Sequence, residues 1–461
     1  MDFKNQIDGL MDDMVKDIQG LIRIKSVEAP ADGDMPFGKG VQDALEYTLN
    51  LGEQMGFKVK NVDNYAGHIE FGEGDEIIGV LAHLDVVPEG SNWDYDPYGA
   101  EIADGKIFGR GTIDNKGPAV SALYALKTLK DEGIKLNKRV RLIFGTNEET
   151  GWKGINYYMD KEETPDMGFT PDADFPAIHG EMGILIFDLV KKFDERLPDG
   201  GIEVIKITGG NAPNMVPDYA EAHLKVTKEI GHILEAYNKD KEANLEMVED
   251  NGITIIKSFG VSAHGSTPEH GKNAISYLMD FLNFIDLQIG DVTNFVRDYA
   301  RLIGLDYNGQ NIGCGLEDDY GKLVFNVGVI DFNDNEGRVS VNIRYPITDN
   351  QDNVFKGLEE ALEFTNIQVE KHEHLAPIYL PPDHELITAL MDTYKDVTGD
   401  DTPPVTIGGG TYARSMKNAV AFGPLFPGKV ETAHQKNEFI EIEDLRVMTR
   451  IYANALYKLT R

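Results

Sequence analysis

Apolar residues recur at two different periods along this chain, and the change of period marks how it is organised. Phe3, Ile7, Leu10, Met14, Ile18, Leu21 and Ile22 follow helical spacing, interleaved with Asp and Lys. The N-terminus therefore reads as an amphipathic helix and not as an export signal. Ile77 to Ala82 and Val140 to Gly145 are short unbroken apolar runs, as in strands covered on both faces. Between them the pattern predicts a helix from about Pro118 to Glu132. Pro118 suits the first turn, Ala119, Ala122, Leu123, Leu126 and Leu129 make an apolar stripe, and Gly133 stops it. Met167 to Phe169 and Ala419 to Phe422 look like further strands of the same sheet, and Ile442 to Leu459 like a closing helix. Strand and helix alternating in this way predict an α/β domain.

The middle of the chain reads differently. From about Ile184 to Glu370, strands such as Thr254 to Ile256 mix with helices such as Asn273 to Ile285. At 338–344, Val339, Val341 and Ile343 occupy one face and Arg338, Ser340, Asn342 and Arg344 the other. That alternation predicts a half-exposed antiparallel strand. The expectation is a doubly wound mixed-sheet α/β domain in two pieces, residues 1–182 and 379–461, with an α+β domain over 183–378 inserted into it.

Length agrees, since 461 residues exceed what one hydrophobic core usually holds. Charge narrows the partners. With 44 basic against 78 acidic residues the net charge is −34. Binding to nucleic acid or to an anionic membrane needs basic surface, so neither is expected. An anionic substrate group would need a locally placed cation. A single cysteine, Cys314, excludes an intrachain disulfide and a thiolate metal cluster. No apolar run approaches the roughly 20 residues of a membrane helix, and the expected compartment is the cytoplasm.

Five polar clusters fall where predicted strands end or just beyond, the place where open α/β sheets bind ligands. His83-Leu84-Asp85 follows the first strand. Gly109-Arg110-Gly111-Thr112-Ile113-Asp114-Asn115-Lys116-Gly117-Pro118 is a glycine-rich helix entry without the spacing of a phosphate loop. Glu148 and Glu149 follow the strand at 140–145, where one carboxylate could bind a metal while the other takes a proton. Pro171-Asp172 follows Phe169, and Ala433-His434 precedes the last helix. Each cluster alone is equally a strand end, a helix entry or a solvated acidic turn. Together they are not coincidence.

The stretches HLDVVP, GRGTIDNKGP, GTNEETGW, TPDADFP, IHGEMG, APNMVP, SAHGSTP, NIRYP, IGGGTYAR and HQKNEF span nearly the whole chain. In this order they resemble the dinuclear-metal aminopeptidase, aminoacylase and carboxypeptidase family, and within it the bacterial dipeptidases of the carnosinase type (dipeptidase V). The resemblance implies two divalent ions, zinc first, with manganese or cobalt accepted by the same donors. It assigns His83 and Asp172 to one ion, Glu149 and His434 to the other, and Asp114 to both. Glu148 would be the general base that takes a proton from a water between the ions, and Asp85 the partner of His83. In these dipeptidases the residue after the bridging Asp is often a second Asp joined through a cis peptide; here it is Asn115. The inserted domain would be a lid. His264 on it would stabilise an oxyanion, Arg344 and Asn214 would hold the substrate carboxylate, and Gly409, Gly410, Thr411, Tyr412 and Arg414 would line the substrate. His68, His223, His232, His270, His384 and the His372-x-His374 pair match no ligand position.

The reading that follows is a monomeric dipeptidase acting on a dipeptide or other small amino-acid-derived substrate with a free N-terminus. Two rivals share its motifs. An N-acyl amino acid or succinyl-amine hydrolase, or an aminopeptidase, would use the same ligands on another substrate. A non-catalytic metal-binding relative would lack the base or a ligand, and this chain has Glu148 and all five candidate ligands.

Overall fold

The computed structural model describes residues 2–194 and 201–461. It contains two compact units: Met1–Gly180 with Leu380–Val405 and Gly410–Arg461, and Glu181–Tyr379 with Thr406–Gly409. Each has its own apolar core.

The first unit is built on a mixed sheet with strands in the order Lys58–Val62, Ala66–Phe71, Arg139–Gly145, Ile77–His83, Met167–Thr170, Ala419–Ala421 and Ile178–Glu181. The four from Arg139–Gly145 to Ala419–Ala421 run parallel. Every residue of Ile77–His83 is buried, as its unbroken apolar run requires. The helices Lys4–Ile22, Lys116–Asp131 and Ile442–Leu459 pack on one another and bury their apolar stripes in this core. In the parallel register His83 stands opposite Gly145. The carboxyl ends of neighbouring strands therefore lie side by side, and the segments leaving them begin at adjacent points.

The second unit holds an antiparallel sheet in the order Leu245–Asp250, Ile253–Phe259, Tyr219–Lys225, Glu203–Gly209, Val324–Phe332, Glu336–Tyr345, Gly183–Lys192 and Gln368–Leu375. Ala274–Phe284, Asp291–Leu302 and Gln351–Leu362 are among its helices. The polar face at 338–344 departs from the half-exposed expectation. Asn342 and Arg344 are buried, at 1% and 5% exposure. Alternation reports which side chains share a face; it does not report that this strand is paired on both edges deep within an eight-stranded sheet.

Candidate metal centre

His83 ends the central strand of the first unit and is 1% exposed. Its Nε2 lies 2.8 Å from Asp114 Oδ1 and 3.6 Å from Asp172 Oδ1. Asp114 leaves the glycine-rich loop just before the helix Lys116–Asp131, and Asp172 follows the neighbouring strand Met167–Thr170. His434 Nε2 lies 3.0 Å from Asp114 Oδ2 and 3.1 Å from Glu149 Oε2. The two oxygens of Asp114 thus face two different imidazoles. Ligand atoms of His83, Asp114 and Glu149, and again of His83, Glu148 and Asp172, come within 4.8 Å of one another. Imidazole nitrogens and carboxylate oxygens converging in this way are a donor set suited to divalent cations of the zinc type.

The electrostatics agree with that chemistry. Burial, reinforced by the Asp172 charge, pushes Glu148 well above the usual carboxylate range. Burial and Asp114 push Glu149 up, and burial pushes Asp172 up to about 6. Burial would raise Asp114 as well, but hydrogen bonds from His434 and His83 hold it low. So much anionic character in a buried space is neutralised by protons or by cations.

Backbone amides hold the cluster in place. Asp85 Oδ1 accepts from Glu148 N at 3.0 Å and Oδ2 from Glu149 N at 3.1 Å. His83 Nδ1 is nearer the Asp85 carbonyl oxygen, 3.0 Å, than its carboxylate, 3.5 Å. The strand ends at His83, so Asp85 lies beyond it and its carboxylate turns to the 148–149 turn. The Asp114–Asn115 peptide is cis, and Asn115 Nδ2 donates to Pro171 O at 2.5 Å and to Asp172 Oδ1 at 3.1 Å.

The candidate substrate-lining residues 409–414 divide between the units. Gly409 falls in the second, and Gly410, Thr411, Tyr412 and Arg414 in the first. Tyr412 is fully buried, its ring edge-on to His83 and to Trp152 at 6.3 and 5.6 Å between centroids. It forms a wall of the cluster, and a Cβ at Gly145 would come 2.4 Å from its hydroxyl. In the second unit Asn214 and His264 are exposed and adjacent: Met215 pairs with His264, and Gly265 N donates to Asn214 O at 2.7 Å. His264 Nδ1 lies 2.6 Å from Ser266 Oγ. Arg344 Nε donates to Asn342 Oδ1 at 3.0 Å. His372 and His374 turn to different partners, Asp188 and Tyr345.

Residues 79–458 match the model of peptidase family M20/M25/M40. The chain belongs to this family. Over nearly its full length it is similar to "Putative dipeptidase YtjP" of Bacillus subtilis (strain 168), 41% identical over 457 residues, covering 98% of each chain. The fold is similar to that of human carnosine dipeptidase 1, with TM-score 0.60 and 15% identity over 99% of this chain and 98% of that one. It is also similar to that of aminoacylhistidine dipeptidase from Vibrio alginolyticus, with TM-score 0.58 and 16% identity over 95% of both. As a family peptidase the chain is a hydrolase of peptide bonds. No helix of the described residues is long and apolar enough to cross a membrane.

Three side chains at this centre had no role assigned from sequence. Glu438, fully buried, accepts from Gly111 N and Ile113 N at 3.0 Å and from Asp114 N at 3.2 Å, and pairs with Arg110 Nη1 at 2.7 Å. Trp152 Nε1 donates to Glu148 Oε1 at 3.0 Å. All three residues, Arg110 included, sit inside the stretches HQKNEF, GRGTIDNKGP and GTNEETGW. Their place in those stretches is the one sequence signal for them; it says neither that Arg110 and Glu438 are buried nor which way the Trp152 indole points.

Proposed function

We propose that this chain is a metal-dependent dipeptidase acting on dipeptides with a free N-terminus, working as a cytoplasmic monomer. The observation that supports this reading most is the Asp114 carboxylate shared between His83 and His434, with Glu149 and Asp172 beside it. In this reading His83 and Asp172 hold one divalent ion, Glu149 and His434 a second, and Asp114 both; zinc suits the donors, and manganese or cobalt would be accepted. Ions bound there supply Lewis acidity toward a carbonyl oxygen and acidify water.

The chain's own residues do the rest. Glu148 takes a proton from the attacking water and returns it to the leaving amine. Its raised pKa suits a group that must both accept and give up that proton. Trp152 fixes the rotamer of Glu148 from one oxygen, while Asp85 holds the backbone of residues 148 and 149. Tyr412 closes the space behind His83 and excludes water. In the inserted unit, read as a lid, His264 stabilises the oxyanion and Arg344 with Asn214 holds the substrate carboxylate. An Arg fork is the right partner for a carboxylate in a protein of charge −34. Gly409, Gly410, Thr411 and Arg414 line the substrate.

Hydrolysis of matched free and N-acetylated dipeptides by metal-reloaded protein tests the substrate assignment. Free dipeptides should be cleaved with the higher kcat/KM; preference for the blocked forms would make the chain an aminoacylase-type amidohydrolase instead.

A further inference from the structure

Within the second unit, Val324–Phe332 and Glu336–Tyr345 are antiparallel neighbours, and Asn326 stands directly opposite Asn342. Both are 1% exposed, and their neighbours along the strands, Phe325, Val327, Val341 and Ile343, are buried apolar side chains. A buried primary amide is costly unless it is hydrogen-bonded, so two of them in register call for specific partners. Asn326 Nδ2 has two: Pro213 O at 2.8 Å and Met215 O at 2.9 Å.

Those carbonyls belong to the turn that carries Asn214. The turn lies so close on the sheet that a Cβ at Gly328 would come 2.4 Å from Pro213 Cα and from Pro213 O. Met215 then opens the short strand Met215–Val216, which pairs with Ala263–His264. Gly265 N closes the arrangement on Asn214 O. One buried amide therefore anchors the segment bearing Asn214, and that segment templates the one bearing His264. On the opposite strand Asn342 Oδ1 accepts from Arg344 Nε. Fixing Nε sets the plane of the guanidinium, and the plane decides how a carboxylate is met. Among the described residues, Asn326 Oδ1 and Asn342 Nδ2 are buried without a hydrogen-bond partner. A complementary acceptor and donor thus remain at opposed positions.

We propose that Asn326 and Asn342 are the positioning residues of the lid: Asn326 sets Asn214 and His264, and Asn342 sets the fork of Arg344. The proposal rests on the reading of those three residues as substrate contacts. A pair that served folding alone would change thermal stability without changing how the substrate's carboxylate end is told from an uncharged one.

The test compares L-alanyl-L-leucine with L-alanyl-L-leucinamide as substrates of the metal-reloaded enzyme. Asn326→Leu and Asn342→Leu should each raise KM for the free acid about 10-fold, the size of one lost hydrogen bond to a charged or positioned group. Asn342→Leu should leave kcat within about 3-fold, whereas Asn326→Leu, which also loosens His264, should lower kcat as well; each should reduce the preference for acid over amide. Asn342→Asp keeps the acceptor for Arg344 Nε and should restore most of the lost preference. In Asn326→Leu, amide hydrogen exchange should speed up over residues 212–216 and 263–267. Unchanged KM and preference in both Leu variants, with Arg344→Lys and Asn214→Ala impaired, would overturn the proposal. If Arg344→Lys and Asn214→Ala are themselves normal, the substrate reading has failed. Exchange then decides the remainder: unchanged protection at 212–216 and 263–267 overturns the anchoring by Asn326. Should Asn326→Leu not fold, the Asn342→Leu and Asn342→Asp pair still decides, since equal losses in both would contradict an acceptor role.

Discussion

The two units solve one problem with opposite chemistry. In the first, buried carboxylates fix the segments that bear functional groups: Asp85 accepts the amides of Glu148 and Glu149, and Glu438 those of Gly111, Ile113 and Asp114. In the second, a buried amide donates to carbonyls, Asn326 to Pro213 and Met215. Acceptors that hold backbone N–H groups add negative charge to a place already crowded with it. Neutral amides add none. The difference teaches that the first interior gathers anionic charge that protons or cations must neutralise, whereas the anchor in the second adds no charge at all.

Changes in the first unit should therefore act through charge and metal, and leave the second unit's exchange pattern alone. The largest effect is expected from Glu148→Gln, which keeps size and shape but removes the base. Turnover should fall by about 10³-fold, within the range for a lost general base, with metal stoichiometry by mass spectrometry unchanged. Near-normal turnover would break the assignment.

Next comes acid. His68 lies in the sheet with Nδ1 2.8 Å from Tyr158 Oη, and burial, helped by Arg141, lowers its pKa to about 4. Its pKa in the unfolded chain is near 6.5. Because the folded value is the lower one, His68 contributes stability that is fully present above about 6.5 and lost as pH falls towards 4. The loss is at most about 3 kcal/mol across that window. A His68→Phe protein should show a correspondingly flatter dependence of Tm on pH between 7 and 4.5; an unchanged slope would contradict a neutral buried imidazole.

Glu438→Gln should weaken metal binding by about 10- to 100-fold, the usual cost of losing a group that orients a ligand. Calorimetric titration of the apo-protein with Zn²⁺ measures it, and unchanged affinity would mean that the Asp114 loop holds itself. The smallest effect belongs to Trp152→Phe. Loss of one indole hydrogen bond to Glu148, worth about 1 kcal/mol, should lower kcat about 5-fold and leave metal affinity intact.

Much of this was legible in the sequence, and the limits are physical. Apolar runs and their punctuation located the parallel strands, and the last helix ends where the pattern ends, at Leu459. The polar words after those strands named the residues that the structure brings together at His83, Asp114, Glu149, Asp172 and His434. What stayed hidden depends on contacts far apart in the chain. Arg110 and Glu438 are 328 residues apart, and nothing local distinguishes Glu438 from a surface acid in so acidic a protein. Asn342 and Arg344 looked solvated because alternation assigns faces and not what covers them. Trp152 sits four residues from Glu148 in a turn, where no periodicity predicts which way an indole points.

The central claim is that Asp114 is shared by two cations. Anomalous diffraction at the zinc edge from crystals of the zinc-loaded protein tests it most directly. Two peaks should flank the Asp114 carboxylate, one beside His83 and Asp172 and the other beside Glu149 and His434. A single peak, or a pair in which His434 touches neither, would contradict the account.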